Sequence, residues 1–314
     1  MPLPRLLVVE GNTAEGRALF CAAGGAPPSE SYAWLLRELL PDAIADICFP
    51  ADGGANLPDK MGLEGYDGIV ITGSSLNMYD GGPAIDRQIE LIRTAYTSNT
   101  PLFGSCWGLQ LLTTAAGGVV RKNPKGREVG FGRRIGLTAA GRGHPMYEDK
   151  HEVFDAITVH LDEVETLAPG MRVLAANTYS QVQSAEIRVN GTTAWGTQYH
   201  PEYTLHDMAS TVRRYGKKMV DDGFFSNEGE LLHYAHDLEM LHTDPHNKSL
   251  AWKHGLDHTV LQKNDRVTEI KNWIAAMGAT EGTGLEFQLL DYNPCYRSAA
   301  GTGNAMAFAL WGKN

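Results

Sequence analysis

The sequence is poor in cysteine: four in 314 residues, at positions 21, 48, 106 and 295, with wide and unpaired spacing. That excludes the disulfide framework of a small secreted domain and fits a reducing cytoplasm. Long apolar runs are missing too, since none reaches the roughly 18 residues of a membrane span. The N-terminal stretch MPLPRLLVVEGN turns polar after a few apolar residues, as a first strand does and a signal peptide does not. Positive charge is in deficit: the net charge is −10, with acids and bases intermixed. Such a surface favours solubility and argues against a generic partner in nucleic acid or an anionic membrane. There is no G-x-x-x-x-G-K-[ST] phosphate loop, no S-G-G-x-D-S pyrophosphatase loop and no internal repeat.

Hydrophobic residues make up 43% of the chain, enough to bury a sizeable core in one large domain, with or without a smaller appendage. Up to about residue 223, short apolar runs alternate with amphipathic stretches. Strands are expected at RLLVVEGN (5–12), DICFPADG (46–53), YDGIVITGSS (66–75) and PLFG (101–104). Helices are expected at 31–41, 82–98 and 106–118. The alternation predicts an α/β fold, a mostly parallel sheet covered on both faces. From about 119 to 203 the spacing shifts to strands and turns, with Asn190–Gly191 as a hairpin signal, and 204–222 reads as one more helix. The chain thus divides into 1–223 and a helical extension over 224–314, broken at Asp244–Pro245 and Gly255. Its end, from Ala279, is rich in Gly, Ala and Asn and has no period, so it is expected to be weakly structured.

Chemistry concentrates in three short stretches. In Gly104–Ser105–Cys106–Trp107–Gly108 a cysteine stands between glycines where a strand turns into a helix. This is the thiol version of a nucleophile elbow. The glycines leave room for neighbouring backbone, the helix N-terminus favours a thiolate, and the Trp107 N–H points to where an oxyanion would form. A core cysteine in a glycine-rich turn would give the same five residues about as often, so partners must decide. His200–Pro201–Glu202 supplies them: on an extended segment His200 and Glu202 share a face, so the acid can orient the base. The strand-turn Ile71–Thr72–Gly73–Ser74–Ser75 could present a second oxyanion N–H, and its small residues suggest a flexible turn.

With GSCWGLQ (104–110), QYHPE (198–202), ITGSS (71–75) and REVGF (127–131), residues 5–222 resemble the class I, triad-type glutamine amidotransferases. The likeness is to stand-alone relatives of the GMP synthetase amidotransferase domain, whose His-x-Asp loop is similar to TVHLDEVETLAPGMRVLAANT (158–178). The resemblance implies a flavodoxin-like fold and hydrolysis of L-glutamine to glutamate and ammonia through a γ-glutamyl thioester, without cofactor or metal. It makes Cys106 the nucleophile, His200 the base and acid, and Glu202 its orienting partner. It places oxyanion donors at Ser74, after Gly73, and at Trp107, and a substrate contact at Gln110. Backbone groups that hold the α-amino and carboxylate groups fall on Val159, His160, Leu161 and Asp162. Three departures concern the acyl pocket: Ser74–Ser75 replace Gly-Pro, Leu161 replaces glycine, and Trp107 is bulky.

The missing nucleotide loops put any ammonia-accepting synthetase or oxidoreductase on a separate chain, with residues 224–278 the candidate surface for its docking or for a homo-oligomer. The alternative is a free-standing hydrolase of other γ-glutamyl donors, amides or peptides, using the same triad. A non-catalytic binding relative is disfavoured by the intact Cys106, His200 and Glu202. Six histidines (233, 236, 242, 246, 254, 258) crowd the extension, but breakers and the lack of nearby cysteine make them an exposed polar surface rather than a metal site. Cys21, Cys48 and Cys295 read as structural, and Trp252 and Trp273 as core or contact surface.

Overall fold

A computed structural model describes residues 3–54, 56–58 and 62–278. The expected weak tail from Ala279, and Cys295 with it, lie outside the described residues. Nine strands form one sheet, in the spatial order β2 (Ile44–Cys48), β1 (Arg5–Val9), β3 (Gly68–Ile71), β4 (Leu102–Ser105), β11 (Thr192–Thr197), β10 (Ser184–Val189), β9 (Met171–Ala176), β6 (Glu128–Leu137) and β7 (Val153–His160). Neighbours run parallel from β2 to β11 and antiparallel from β11 to β7. The parallel half is where the sequence has short, unbroken apolar runs, because those strands are covered on both faces. The antiparallel wing is where the spacing shifted to strands and turns. Asn190 and Gly191, at φ 51° and 89°, make the tight turn between β10 and β11.

Alternate residues of the parallel strands feed two cores. Leu6, Val8, Val70 and Phe103 pack with Tyr32 and Leu36 of α2 (Pro28–Leu39) and with Ile270, Trp273 and Ile274 of α11 (Thr268–Gly278). Leu7, Val9, Ile69, Ile71 and Leu102 pack with Ile85 and Ile92 of α3 (Pro83–Ala95) and with Leu109 and Leu112 of α4 (Trp107–Ala115). The extension therefore supplies one helix of the main core. A third core joins Phe131, Ile157 and Val159 to α5 (Leu205–Arg214) and α7 (Glu228–Thr243). Trp273 is buried with its ring 5.9 Å from Phe103, whereas Trp252 of α8 (Lys248–His254) is 87% exposed.

Two elements differ from the sequence expectation. The helix α1 (Ala14–Ala22) was not expected, because it buries only Gly16 and Phe20 and so has no apolar stripe to read. The single helix expected over 204–222 is split at Tyr215 into α5 and α6 (Gly216–Asp221). The break at Asp244–Pro245 and the left-handed Gly255, at φ 60°, end α7 and α8 as expected. A small second sheet pairs β5 (Val119–Lys122) with β8 (Asp162–Thr166), beside the end of β7.

Candidate active site

Cys106 sits between the C-terminal end of β4 and the first turn of α4, with φ 54° and ψ −104°. A non-glycine residue held in that region is strained, and the surroundings hold it there. Its N–H donates to the Thr197 carbonyl of β11 at 2.6 Å, locking the turn to the adjacent strand. The glycines are required by close approach. A Cβ on Gly104 would lie 2.5 Å from the Gly108 carbonyl carbon, and one on Gly108 2.6 Å from the Ile71 carbonyl oxygen. The buried Cys106 thiol donates to the Val159 carbonyl at 3.6 Å, which brings the end of β7 over the sulfur.

The loop after β11 delivers the base. His200 is 2% exposed, its N–H donates to the Ile157 carbonyl at 2.8 Å, and its Nδ1 meets Glu202 Oε1 at 2.7 Å. Tyr203 stacks on the imidazole at 4.0 Å between centroids. Beneath the ring, a Cβ on Gly73 would come within 2.6 Å of His200 Cε1, so only glycine fits there. The Nε2 atom is buried with no partner at ordinary hydrogen-bond distance, and Cys106 is the neighbour that acts on the ring from that side. Burial disfavours the imidazolium, but the Glu202 carboxylate and Cys106 outweigh it and push the pKa up to about 10. The ring is therefore a proton donor at neutral pH.

The turn over Gly73–Ser75 is not the loose element that its small residues suggested. Asn12, wholly buried, donates from Nδ2 to the Gly73 carbonyl at 3.1 Å and accepts from the Ser75 N–H at 3.0 Å. Buried Glu10 accepts from the Asn12 N–H at 2.9 Å and from its Nδ2 at 2.8 Å, and from the Ser29 N–H at 3.0 Å. Thr72 donates to the Gly73 carbonyl at 3.0 Å, and Ser74 Oγ to the Gly11 carbonyl at 2.9 Å. Gln88 of α3 completes the frame: its Nε2 reaches the Gly11 carbonyl at 3.2 Å and its Oε1 accepts from Trp107 Nε1 at 2.9 Å. The bulk of Trp107 is thereby drawn into the core, 1% exposed, leaving its backbone at the elbow.

The remaining expected residues gather on the far side of the sulfur. Gln110 Nε2 donates to the Asp162 carbonyl at 3.3 Å and to Gln198 Oε1 at 3.2 Å. His160 is pinned between the Asp162 carbonyl, 2.9 Å, and Glu128 Oε2, 2.7 Å. Burial opposes the Glu128 charge, yet His160, Asn177 and Gln183 hold its pKa below the ordinary carboxylate value. Burial raises the Asp162 carboxyl, although Tyr79 donates to it at 3.0 Å. Leu161 needs no glycine, because its φ is not positive; its carbonyl accepts from the Asn123 N–H at 2.9 Å. All eleven expected residues thus fall in one neighbourhood. Glu10, Asn12, Thr72 and Gln88, which shape it, went unread, since isolated polar residues in apolar or amphipathic runs give no periodic signal.

A cysteine at a strand-to-helix elbow on a mostly parallel α/β sheet, beside a buried histidine held by a glutamate, has the arrangement of a nucleophile elbow with an oriented base. The family model "Glutamine amidotransferase class-I" matches residues 48–219, and the chain belongs to that family. It is 36% identical over 275 residues to gamma-glutamyl-L-1-hydroxyisopropylamide hydrolase of a Pseudomonas species, covering 86% of this chain and 92% of that protein. It is 37% identical over 133 residues to GMP synthase [glutamine-hydrolyzing] of Thermosipho africanus, covering 39% of this chain and only 24% of that protein. Gamma-glutamyl peptidase 4 of Arabidopsis thaliana is 30% identical over 158 residues, spanning 62% of its length and 50% of this chain. In fold, a glutamine amidotransferase of Thermotoga maritima superposes with a TM-score of 0.57 at 14% identity, over 88% of this chain and 99% of the other. No helix among the described residues is long and apolar enough to cross a membrane.

Proposed function

We propose that this enzyme is a free-standing hydrolase of γ-glutamyl amides, in preference to a glutaminase that feeds ammonia to a partner. The observation that carries the choice is the fastening of the Gly73–Ser75 turn by Asn12 and Glu10 within this chain, which supports an oxyanion side that needs no second chain to order it. The likeness to the Pseudomonas hydrolase, which covers 86% of this chain and so reaches into the extension, supports the same reading. In this reading the thiol proton has passed to His200, the Cys106 thiolate attacks the γ-carbonyl carbon, and the Trp107 and Ser74 N–H groups take the charge on its oxygen. His200 passes its proton to the leaving amine, the C–N bond breaks and a γ-glutamyl thioester remains. Water, deprotonated by the now neutral His200, attacks the thioester, the C–S bond breaks and glutamate leaves. Gln110 and the Val159–Asp162 segment hold the glutamyl end. The work is done in the cytoplasm, where Cys106 stays reduced, and it needs neither nucleic acid nor a membrane.

The test is a substrate panel on the full chain: L-glutamine, γ-glutamyl-1-hydroxyisopropylamide and other γ-glutamyl alkylamides and dipeptides. We expect kcat/KM for the hydroxyalkylamide to exceed that for L-glutamine by at least about tenfold, since a filled leaving-group pocket contributes about 1–3 kcal/mol. Cys106→Ala should abolish turnover without changing the melting temperature by more than a few degrees. A γ-glutamyl diazoketone should label Cys106 and leave Cys21, Cys48 and Cys295 intact. Glutamine turnover that rises only when an ammonia-accepting synthetase or oxidoreductase is added would move the assignment to the glutaminase reading.

A further inference from the structure

One buried cation stands beside the candidate active site without a bonded carboxylate. Arg127 is the residue before β6, and its side chain is 7% exposed. None of its guanidinium N–H groups has an acceptor at hydrogen-bond distance among the described residues. The nearest carboxylate oxygen, Asp222 Oδ2, is 3.8 Å from Nε on a side chain 41% exposed. The Nε atom is enclosed by protein, so the terminal Nη atoms are the part of the group that keeps access to solvent. The ring of Tyr215 lies 5.2 Å from the guanidinium carbon and covers one face. A guanidinium so far removed from water is costly without hydrogen bonds, and the fork of N–H groups at its tip matches a carboxylate in bidentate geometry.

The strand register puts this group near the sulfur. Glu128 pairs with His160 and Val129 with Val159, so the next step of the ladder sets Arg127 against the turn at Leu161 and Asp162. Val159 is the residue whose carbonyl meets Cys106 Sγ at 3.6 Å. Two residues of extended chain, roughly 7 Å, separate Arg127 from Val129. The length of an arginine side chain and that of a glutamyl group together span this gap. The acids close by are already engaged: Glu128 with His160, Asn177 and Gln183, and Asp162 Oδ1 with Tyr79. Burial raises the Asp162 carboxyl, and the Arg127 charge is among the groups that oppose it, so the guanidinium is within electrostatic reach of the segment over the sulfur.

We propose that Arg127 determines donor specificity, its guanidinium taking the α-carboxylate of the γ-glutamyl substrate beside the Val159–Asp162 backbone. This rests on the reading of Cys106 as the nucleophile toward a γ-glutamyl amide. The contact confines the enzyme to donors with a free α-carboxylate. A glutamine inside a peptide chain, whose α-carboxyl is itself an amide, leaves Arg127 buried and unpaired and is rejected. The contact lies away from the reacting carbonyl and is the same before and during the reaction, so it acts on KM rather than kcat.

Two substrates test this on the full chain: γ-glutamyl-1-hydroxyisopropylamide, and the same amide with its α-carboxylate converted to a carboxamide. We expect the unmodified protein to prefer the free carboxylate by about 10²-fold in kcat/KM, chiefly through KM. Arg127→Met should erase that preference, raising KM for the carboxylate substrate by about 10²-fold and leaving the carboxamide substrate within a few-fold. Arg127→Lys keeps the charge without the fork, so it should retain part of the preference, and it carries the test if Arg127→Met folds poorly. Asp222→Asn should change neither substrate, which separates a substrate contact from an ion pair that only anchors α6. Equal loss on both substrates in a folded Arg127 variant, a preference that survives in both Arg127 variants, or the same loss in Asp222→Asn would overturn the proposal and leave the role of Cys106 intact. No turnover of either substrate or of L-glutamine by the unmodified protein would overturn the reading of Cys106 and the proposal with it.

Discussion

At the residue scale His200 concentrates the chemistry. One ring nitrogen is committed to Glu202 at 2.7 Å, the other is left open, and stacking by Tyr203 and the bare Cα of Gly73 fix the plane of the ring. With the pKa pushed up to about 10, the proton that must reach the leaving amine stays on the ring through neutral pH and is lost above that value. Activity should therefore have an alkaline limb near pH 10. Glu202→Gln removes the carboxylate that does most to raise the pKa, so its limb should shift to lower pH and kcat should fall by about 10²–10⁴. Profiles of kcat/KM against pH for both proteins check the two effects together. A loss of rate without movement of the limb would mean that Glu202 orients the ring and does not set its charge.

At the element scale the site is a meeting of four strand ends, and the turn after β3 is the one whose rigidity matters most. Asn12→Ala would leave the Ser75 N–H, the Gly73 carbonyl and Glu10 short of partners in a buried frame. We expect about 1–3 kcal/mol of lost stability. We also expect a fall in kcat of about 10²–10³ with KM little changed, because an oxyanion donor is lost and substrate binding is not. Steady-state kinetics beside thermal melts separate the two. The elbow, the His-Pro-Glu segment and the parallel strands were legible because each carries a local rule: glycines around a turn, a proline fixing two side chains to one face, unbroken apolar runs. The frame around Gly73 was not, because Glu10, Asn12, Thr72 and Gln88 are single polar residues whose meaning arises only when β1, β3 and α3 come together. The same holds for α1, which has too little buried surface to leave a pattern.

At the scale of the whole molecule, the boundary at residue 223 read from composition separates two patterns of sequence that share a core. Ile270, Trp273 and Ile274 of α11 pack against Phe103 and Val70 of the central strands. Beside them Glu269, wholly buried, accepts from Tyr199 at 2.6 Å and from Lys150, whose side chain is 4% exposed, at 2.9 Å. Tyr199 precedes His200, so the last described helix is tied to the segment that delivers the base. Removing one member strands a buried charge: Lys150→Met or Glu269→Leu alone should cost about 3–5 kcal/mol, and the double variant should recover much of it. At about 2–4 °C per kcal/mol that is a drop in melting temperature of roughly 6–20 °C for each single change. Ending the chain at residue 223 would remove the apolar cover of Phe103 and Val70 together with the partner of Tyr199. We expect that truncated protein to aggregate on expression and to show no turnover. Solubility trials, circular dichroism and a substrate assay on the truncated chain check this. A folded, active core from residues 1–223 would show that the contacts of α11 are dispensable and would return the extension to the role of a docking surface.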